Sequence, residues 1–204
     1  WQWSGENGSP TPHLETTLMK KALTLALGLM LVCSVAYAAE KEKEVKSGLQ
    51  VGERPPAYQV LDATGPSEGK KLCYRCQYGP KPVVNIFTRE LNDSAARLIK
   101  EIDGTVEKNA DKKMCAFVVL LTDTPDEDTG KLKEFAKKHG IKNTPLTYFD
   151  GAAGPPNYKI AKEAAVTVMM WNKQRVRVNH AFAKADLPKE TVKSVASDTK
   201  EILN

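Results

Sequence analysis

The sequence predicts an α/β fold, a three-layer α/β/α sandwich around a mixed central sheet. Two apolar, β-rich segments, residues 83–87 and 115–121, are typical of strands that are covered on both faces. Apolar residues at helical spacing follow each of these two strands. A later pair of β-rich segments, residues 166–171 and 175–182, predicts an antiparallel hairpin, which makes the sheet mixed.

An N-terminal β-hairpin is predicted by residues 60–72. Val60 and Leu61 open an apolar segment, a turn rich in glycine, proline and serine follows, and the chain returns through Lys71 and Leu72. Residues 79–82 contain one glycine and two prolines, which predict a turn just before the strand at residues 83–87.

Two helices are expected between the central strands. Residues 91–108 place apolar side chains on one helical face. The second helix follows Thr124, and a proline at its first position and Glu127 predict a capping box at its start. Gly140 is expected to end it, because glycine readily adopts the left-handed conformation found at helix ends.

The C-terminal part predicts a short strand, a hairpin and a last helix. Residues 146–149 are expected to form the strand, and the hairpin at residues 166–182 comes next. Pro188 then opens a helix with apolar residues on one face up to the C-terminus.

Residues 19–38 have the order of a secretory signal peptide. Two lysines follow Met19, an apolar run continues to Val35, and Ala36 and Ala38 occupy the −3 and −1 positions. We expect cleavage near Ala38 and an exported protein. The apolar run is shorter than the roughly 20 residues of a membrane span, so no stable membrane insertion is expected after cleavage.

The remaining domain boundaries follow from this signal. Residues 1–18 precede Met19 and are interpreted as a non-native or mis-assigned leader. Residues 39–48 alternate in charge and are expected to form a polar linker. Residues 49–204 are long enough for one domain with one core.

Charge and cysteine patterns exclude several classes of function. The formal net charge is +5, with basic and acidic residues interleaved, so no nucleic-acid partner is expected. Gln77 follows Cys76, which excludes a CxxCH haem attachment, and three cysteines outside the signal are too few for a four-cysteine zinc site. No cofactor is expected, and no metal site is predicted apart from the copper alternative for the CxxC pair Cys73 and Cys76.

Cys73 and Cys76 form a CxxC pair just before a predicted strand. Arg75 lies between them and is a candidate for lowering a thiol pKa, and Cys115 is a candidate resolving thiol. The pair could catalyse thiol–disulfide exchange, form an inert disulfide or bind a metal such as copper. Because the pair precedes the strand at residues 83–87, we expect it at the amino end of the sheet.

Residues 48–204 resemble the thioredoxin-like superfamily in its redoxin and peroxiredoxin branch. The resemblance is carried, in order, by residues 51–58, by residues 82–88, by Lys137 to Ile141, by Thr144 to Leu146, and by the closing hairpin and helix. Peroxiredoxins carry a cysteine three residues after the Phe-Thr pair, where this chain has Leu91. The counterpart of the family's cis-proline is expected near Ala165, with Pro145 as the alternative.

The resemblance implies a redoxin-like fold that lacks the usual catalytic cysteine, and the signal-like segment implies export. The first hypothesis is a thiol–disulfide oxidoreductase that uses the displaced pair Cys73 and Cys76, with protein thiols or disulfides as partners. The alternative is a catalytically degenerate binding or structural module with a structural disulfide. A conventional peroxiredoxin is not expected, and the oligomeric state is left open.

Overall fold

The computed structural model describes residues 45–204. The predicted signal peptide at residues 19–38, the segment before it and most of the predicted linker lie outside the described residues. Between residues 45 and 204, no helix is long and apolar enough to cross a membrane.

Twelve elements form in this range, and their order follows the predicted alternation. They are β1 (Val60–Asp62), β2 (Lys71–Leu72), α1 (Tyr74–Tyr78), β3 (Val83–Thr88), α2 (Asp93–Lys108), β4 (Cys115–Thr122), α3 (Pro125–His139), β5 (Leu146–Asp150), β6 (Val166–Asn172), β7 (Arg175–Phe182), α4 (Lys189–Ser197) and α5 (Lys200–Leu203).

All strands belong to one mixed sheet, in the order β2-β1-β5-β4-β3-β6-β7. The three central neighbours β5, β4 and β3 are parallel, whereas β1 and β6 pair antiparallel with β5 and β3. Every residue of β3 is buried, including Asn85 and Thr88, as its almost wholly apolar pattern predicted. The predicted α/β class with a mixed central sheet is therefore confirmed.

The register of β3 defines the two ends of the sheet. Val83 lies opposite Cys115 on β4 and opposite Trp171 on β6, so these three residues mark the amino end of β3. Thr88 lies opposite Val166 and marks the carboxyl end. A six-residue strand is roughly 20 Å long, which is the separation between the two ends.

The two faces of the sheet are covered differently. Helices α2, α3, α4 and α5 contribute to one apolar cluster with alternate strand residues. The opposite cluster contains α1 and extended chain, including Tyr58, Tyr158 and Ile160. Helices were predicted on both faces, and α1 is the helix of the second face. The two crossover helices α2 and α3 share the other face, because right-handed crossovers add β4 and β5 in one direction.

The ends of α2 and α3 differ slightly from the prediction. The side chain of Asn92 accepts a hydrogen bond from the Ala95 N–H at 2.9 Å, so α2 begins at Asp93. The predicted capping box at Thr124 is wrong, because its hydroxyl makes no cap and contacts Asp128 instead. Gly140 ends α3 with a φ of 62°, as predicted.

The folded chain begins before residue 49. Ser47 is buried and its hydroxyl lies 2.8 Å from that of Thr167 on β6, while the amide of Asn179 donates to the Ser47 carbonyl. Gly48 has a φ of 80°, and a Cβ there would lie 2.8 Å from Thr167 Cγ2. Residues 47 and 48, which the sequence assigned to a linker, therefore pack on the sheet.

Strand β6, which follows the long loop after β5, pairs with β3. Its preceding residue, Ala165, accepts a hydrogen bond from the Arg89 N–H at 3.1 Å. Pro145 instead precedes β5, and its carbonyl accepts a bond from Val118 on β4. Ala165 therefore lies directly before the strand that pairs with β3, and its correspondence to the proline of peroxiredoxins and thioredoxins stays a prediction. Peptide bonds within residues 45–204 are trans.

Candidate functional site

Cys73 and Cys76 form a disulfide at the start of α1. The sulfur atoms are 2.04 Å apart and the Cα atoms 5.2 Å apart. Cys73 is the N-cap of the helix, and the Cys76 N–H points to its Sγ at 3.1 Å. As whole residues, Cys76 is exposed and Cys73 is half-buried.

A tyrosine beneath the disulfide fixes α1 to the β1–β2 hairpin. Tyr74 is buried, and its hydroxyl donates to Asp62 Oδ2 at 2.8 Å. The same carboxylate accepts the backbone N–H groups of Gly65 and Ser67 at 2.7 and 2.9 Å. Burial raises the pKa of Tyr74 well above its usual value, and the acceptor Asp62 raises it further, so the phenol stays protonated.

Aromatic packing holds the other end of α1. Tyr78 lies 5.2 Å from Tyr74 and 6.0 Å from Phe117 between ring centroids. Phe117 also stacks on Tyr74, at 5.4 Å, and meets Trp171 edge-on. Such aromatic pairs stabilise by about 0.5–1.5 kcal/mol beyond their buried area. The disulfide therefore lies on a helix with a firmly packed inner face.

Arg75 connects α1 to two other segments. Its Nε donates to the Pro55 carbonyl at 2.8 Å, and one terminal nitrogen donates to Gln174 Oε1 at 2.9 Å. These contacts give the guanidinium a positioning role between the N-terminal segment and the β6–β7 turn. Its predicted effect on a thiol pKa stays a prediction.

Cys115 is the free cysteine of the described chain and begins β4. It is partly buried against the aromatic cluster, and its thiol donates a weak hydrogen bond to the Lys113 carbonyl at 3.5 Å. Burial raises the pKa of Cys115, and Lys81 opposes that shift only in part. A raised pKa makes Cys115 a poor nucleophile at neutral pH, and its role as a resolving thiol stays a prediction.

The opposite end of β3 contains no cysteine. Leu91 is half-buried where peroxiredoxins carry their cysteine, and Asn92 uses its side chain to cap α2. Arg89 donates to the carbonyls of Ala152, Ala161 and Ala164, which ties this corner to the loop before β6. The corner is occupied by side chains that hold the structure together.

Sequence reasoning identified the cysteines but missed the anchors of α1. Nothing in the pattern linked Arg75 to Gln174, which is 99 residues away. A local signal did exist for Asp62, because an aspartate before a Thr-Gly-Pro turn often accepts backbone N–H groups. Within residues 45–204 there is no group of three or more metal-ligating side chains, and the two paired sulfurs are bonded to each other.

No family model and no curated protein sequence matches this chain. Among solved structures, a provisionally named protein disulfide isomerase from Bacteroides thetaiotaomicron is similar with a TM-score of 0.59 and 18% identity, covering 78% of this chain and 94% of that one. A provisionally named thiol:disulfide interchange protein DsbE from Chlorobium tepidum has a TM-score of 0.59 and 14% identity, covering 76% and 99%.

A third similar structure is the peroxidoxin BcpB from Mycobacterium tuberculosis. Its TM-score is 0.54 at 12% identity, and the match covers 74% of this chain and 96% of that one. At these identities the similarity concerns the backbone arrangement. Together with the mixed seven-stranded sheet, it shows that this chain has a thioredoxin-like fold.

Proposed function

We propose that this protein is an exported thiol–disulfide oxidoreductase that exchanges disulfides through Cys73 and Cys76. The observation that carries the proposal is a solvent-accessible disulfide on a helix fixed to a thioredoxin-like sheet. Fixing the helix keeps the two sulfurs in a geometry that can close again after each reduction.

The exposure difference assigns a role to each sulfur. A substrate thiolate attacks the exposed Cys76 Sγ, the bond between Cys76 and Cys73 breaks, and its electron pair stays on Cys73 Sγ. The Cys76 N–H, 3.1 Å from that sulfur, then donates to the Cys73 thiolate and favours its charged form. Cys73 is therefore the leaving group and Cys76 carries the mixed disulfide.

A second substrate thiolate completes the exchange. It attacks the substrate sulfur that is bonded to Cys76, so a substrate disulfide forms and the Cys76 thiolate leaves. Two electrons have moved from the substrate dithiol to the protein pair, whose thiolates take protons from water according to their pKa values. Another disulfide, from a small molecule or a protein, reoxidises the pair by the reverse steps.

Both redox states should remain folded. Cys73 and Cys76 are three residues apart, and a disulfide that closes so short a loop stabilises the folded state through chain entropy by about 2 kcal/mol, which is the stabilisation that reduction removes. The Tyr74–Asp62 hydrogen bond and the contacts of Arg75 hold α1 independently of the disulfide. Reduction can therefore break the bond between the two sulfurs without unfolding α1.

Export is the second part of the proposal. It is supported by the signal-like order of residues 19–38, which ends in Ala36 and Ala38. Disulfides persist in oxidising compartments, so an exported location is consistent with the bond between Cys73 and Cys76.

The test is the reduction potential of the pair, measured by equilibration with glutathione and followed by thiol labelling. A potential above about −300 mV is expected for an exchanging disulfide. Cys115→Ser is the matched control and should leave the potential unchanged. The roles of the two cysteines are tested separately with single variants. Cys73→Ser, which keeps the exposed Cys76, should form a mixed disulfide with the substrate faster than Cys76→Ser, which keeps Cys73.

A second candidate function is a catalytically degenerate binding or structural module. It is favoured by the corner around Leu91 and Asn92, where the fold's usual cysteine is replaced by an apolar residue and a helix cap. In that case the Cys73–Cys76 bond is structural, and its potential should fall well below about −300 mV. Such a value would refute the exchange mechanism and favour the module.

A further inference from the structure

We infer that the surface around the disulfide is a docking site for acidic segments of protein substrates. We call this surface the basic rim and define it by five lysines: Lys71, Lys81, Lys112, Lys113 and Lys173. The inference rests on the proposed function and names the substrate class of the same site.

Backbone hydrogen bonds bring the three segments of the basic rim together. The N–H of Lys173, in the β6–β7 turn, donates to the Pro80 carbonyl at 2.9 Å. The N–H of Cys115, just after the loop that carries two of the lysines, donates to the Pro82 carbonyl at 2.9 Å. Both acceptors follow α1 directly, so all three segments meet at the end of the sheet that carries the disulfide.

These segments hold more positive charge than the whole protein. Residues 69–82 contain four basic and no acidic residues, and residues 172–177 contain three basic and none acidic. Residues 107–113 contain three basic and two acidic residues, which brings the three segments to +8, against +5 for the entire chain. The remainder is therefore net negative, and the charge of the protein is polarised toward the disulfide.

The lysines of the basic rim differ from several other lysines of the described chain in their ion pairing. Among residues 45–204, none of its five lysines forms an ion pair, whereas Lys100, Lys131, Lys133 and Lys159 each pair with a carboxylate elsewhere. Four of the five are exposed, and Lys81 is half-buried. Clustered, unpaired charges of one sign raise the local concentration of oppositely charged partners and speed their encounter.

The chemistry at the centre of the rim favours a protein over a lipid surface. A disulfide can react only with a partner that supplies a thiol or a disulfide, and lipid headgroups supply neither. A membrane-binding surface also presents apolar side chains, but Val51 is the one large hydrophobic residue that is exposed within residues 45–204. An acidic protein segment that carries a cysteine supplies the thiol or disulfide, and it needs no apolar surface to bind.

The test compares three dithiol peptides that differ only in flanking residues: aspartate and glutamate, serine, or lysine. The oxidation of each peptide by the wild-type protein is followed by stopped flow. The acidic peptide should react about tenfold or more faster than the serine peptide at an ionic strength of about 0.01 M. The ratio should approach one at about 1 M, where charges are screened beyond about 3 Å.

Charge-reversal variants locate the effect on the molecule. Lys81→Glu combined with Lys113→Glu should remove most of the preference for the acidic peptide over the serine peptide, while the rate with dithiothreitol, whose attacking thiolate carries a single charge, should change far less. The matched control reverses Lys137 and Lys138, which are exposed in the last turn of α3, outside the three basic segments. That control should keep the preference for the acidic peptide.

The outcomes separate this inference from the proposed function. Equal rates for the three peptides, with normal reaction with dithiothreitol, would overturn the docking site and leave the oxidoreductase standing. No reaction with dithiothreitol at Cys73 and Cys76 would overturn the oxidoreductase itself. The last outcome uses a Cys73→Ser, Cys76→Ser double variant, which can bind but cannot exchange disulfides. If this variant binds phosphatidylglycerol vesicles more tightly than it binds a cysteine-free acidic peptide, the docking inference is also overturned.

Discussion

The hydroxyl of Tyr74 donates a hydrogen bond to the carboxylate of Asp62 at 2.8 Å, and this contact joins the helix that carries the disulfide to the first strand of the sheet. Both residues are buried, at 1% and 0% exposure. In a buried setting the bond to a charged acceptor contributes about 1.5–3 kcal/mol. The position of the disulfide thus depends on a residue 11 positions before Cys73.

Tyr74→Phe should lower the free energy of unfolding by about 1.5–3 kcal/mol, because it leaves a buried carboxylate oxygen with one partner fewer. Urea unfolding of the oxidised protein measures the change. Tyr78→Phe is the control and should cost less, since its hydroxyl is 3.5 Å from the Ala116 carbonyl. Equal losses for the two variants would contradict a special role for the Tyr74–Asp62 bond.

Gly65→Ala should destabilise the same anchor by about 1–3 kcal/mol. A Cβ at Gly65 would lie 2.3 Å from the Tyr74 hydroxyl and 2.7 Å from Asp62 Oδ2, so one of these groups must move. Gly104→Ala provides the contrast, because nothing lies within 4 Å of its Cβ position in α2 and alanine favours a helix by up to about 1 kcal/mol. Thermal unfolding should therefore shift in opposite directions for the two alanines.

Cys115 should react slowly with iodoacetamide at pH 7 to 8. Burial raises the pKa of its thiol, so less of the reactive thiolate is present than for an exposed cysteine at the same pH. The rate should rise as the pH increases through the raised pKa. Mass spectrometry of the peptide that contains Cys115 follows this thiol separately from Cys33, and Cys73 and Cys76 are bonded in the oxidised protein. Alkylation as fast as that of a free cysteine peptide would contradict this expectation.

Arg89→Lys should loosen the loop before β6. The guanidinium donates to the carbonyls of Ala152, Ala161 and Ala164, and a lysine ammonium cannot reach all three with the same planar geometry. We expect a stability loss of about 1–3 kcal/mol and faster amide exchange in residues 152–164, with little change near α1. Hydrogen exchange followed by mass spectrometry separates the two regions. Unchanged exchange in the loop would show that other contacts hold it.

The fold could be predicted from local patterns because its strands and helices are long and strongly patterned. The mostly apolar β3 and β4 and the amphipathic α2 each carry their own signal of length and periodicity. The thin second face could not be predicted, because it consists of α1 and extended chain whose burial depends on distant partners. The failed capping box at Thr124 has a similar cause, since Asp128 and Thr122 compete for its hydroxyl.

The sequence by itself determined that two cysteines would precede β3, where residue order alone puts them at the amino end of that strand. Only the tertiary structure decided which of the two cysteines is the more exposed residue, because that depends on how Tyr74 and Arg75 orient a five-residue helix against segments far away in the chain. Local patterns are encoded by neighbouring residues, whereas exposure and charge clustering arise when separate segments meet. The basic rim is of this second kind, since its three segments come together through bonds to Pro80 and Pro82.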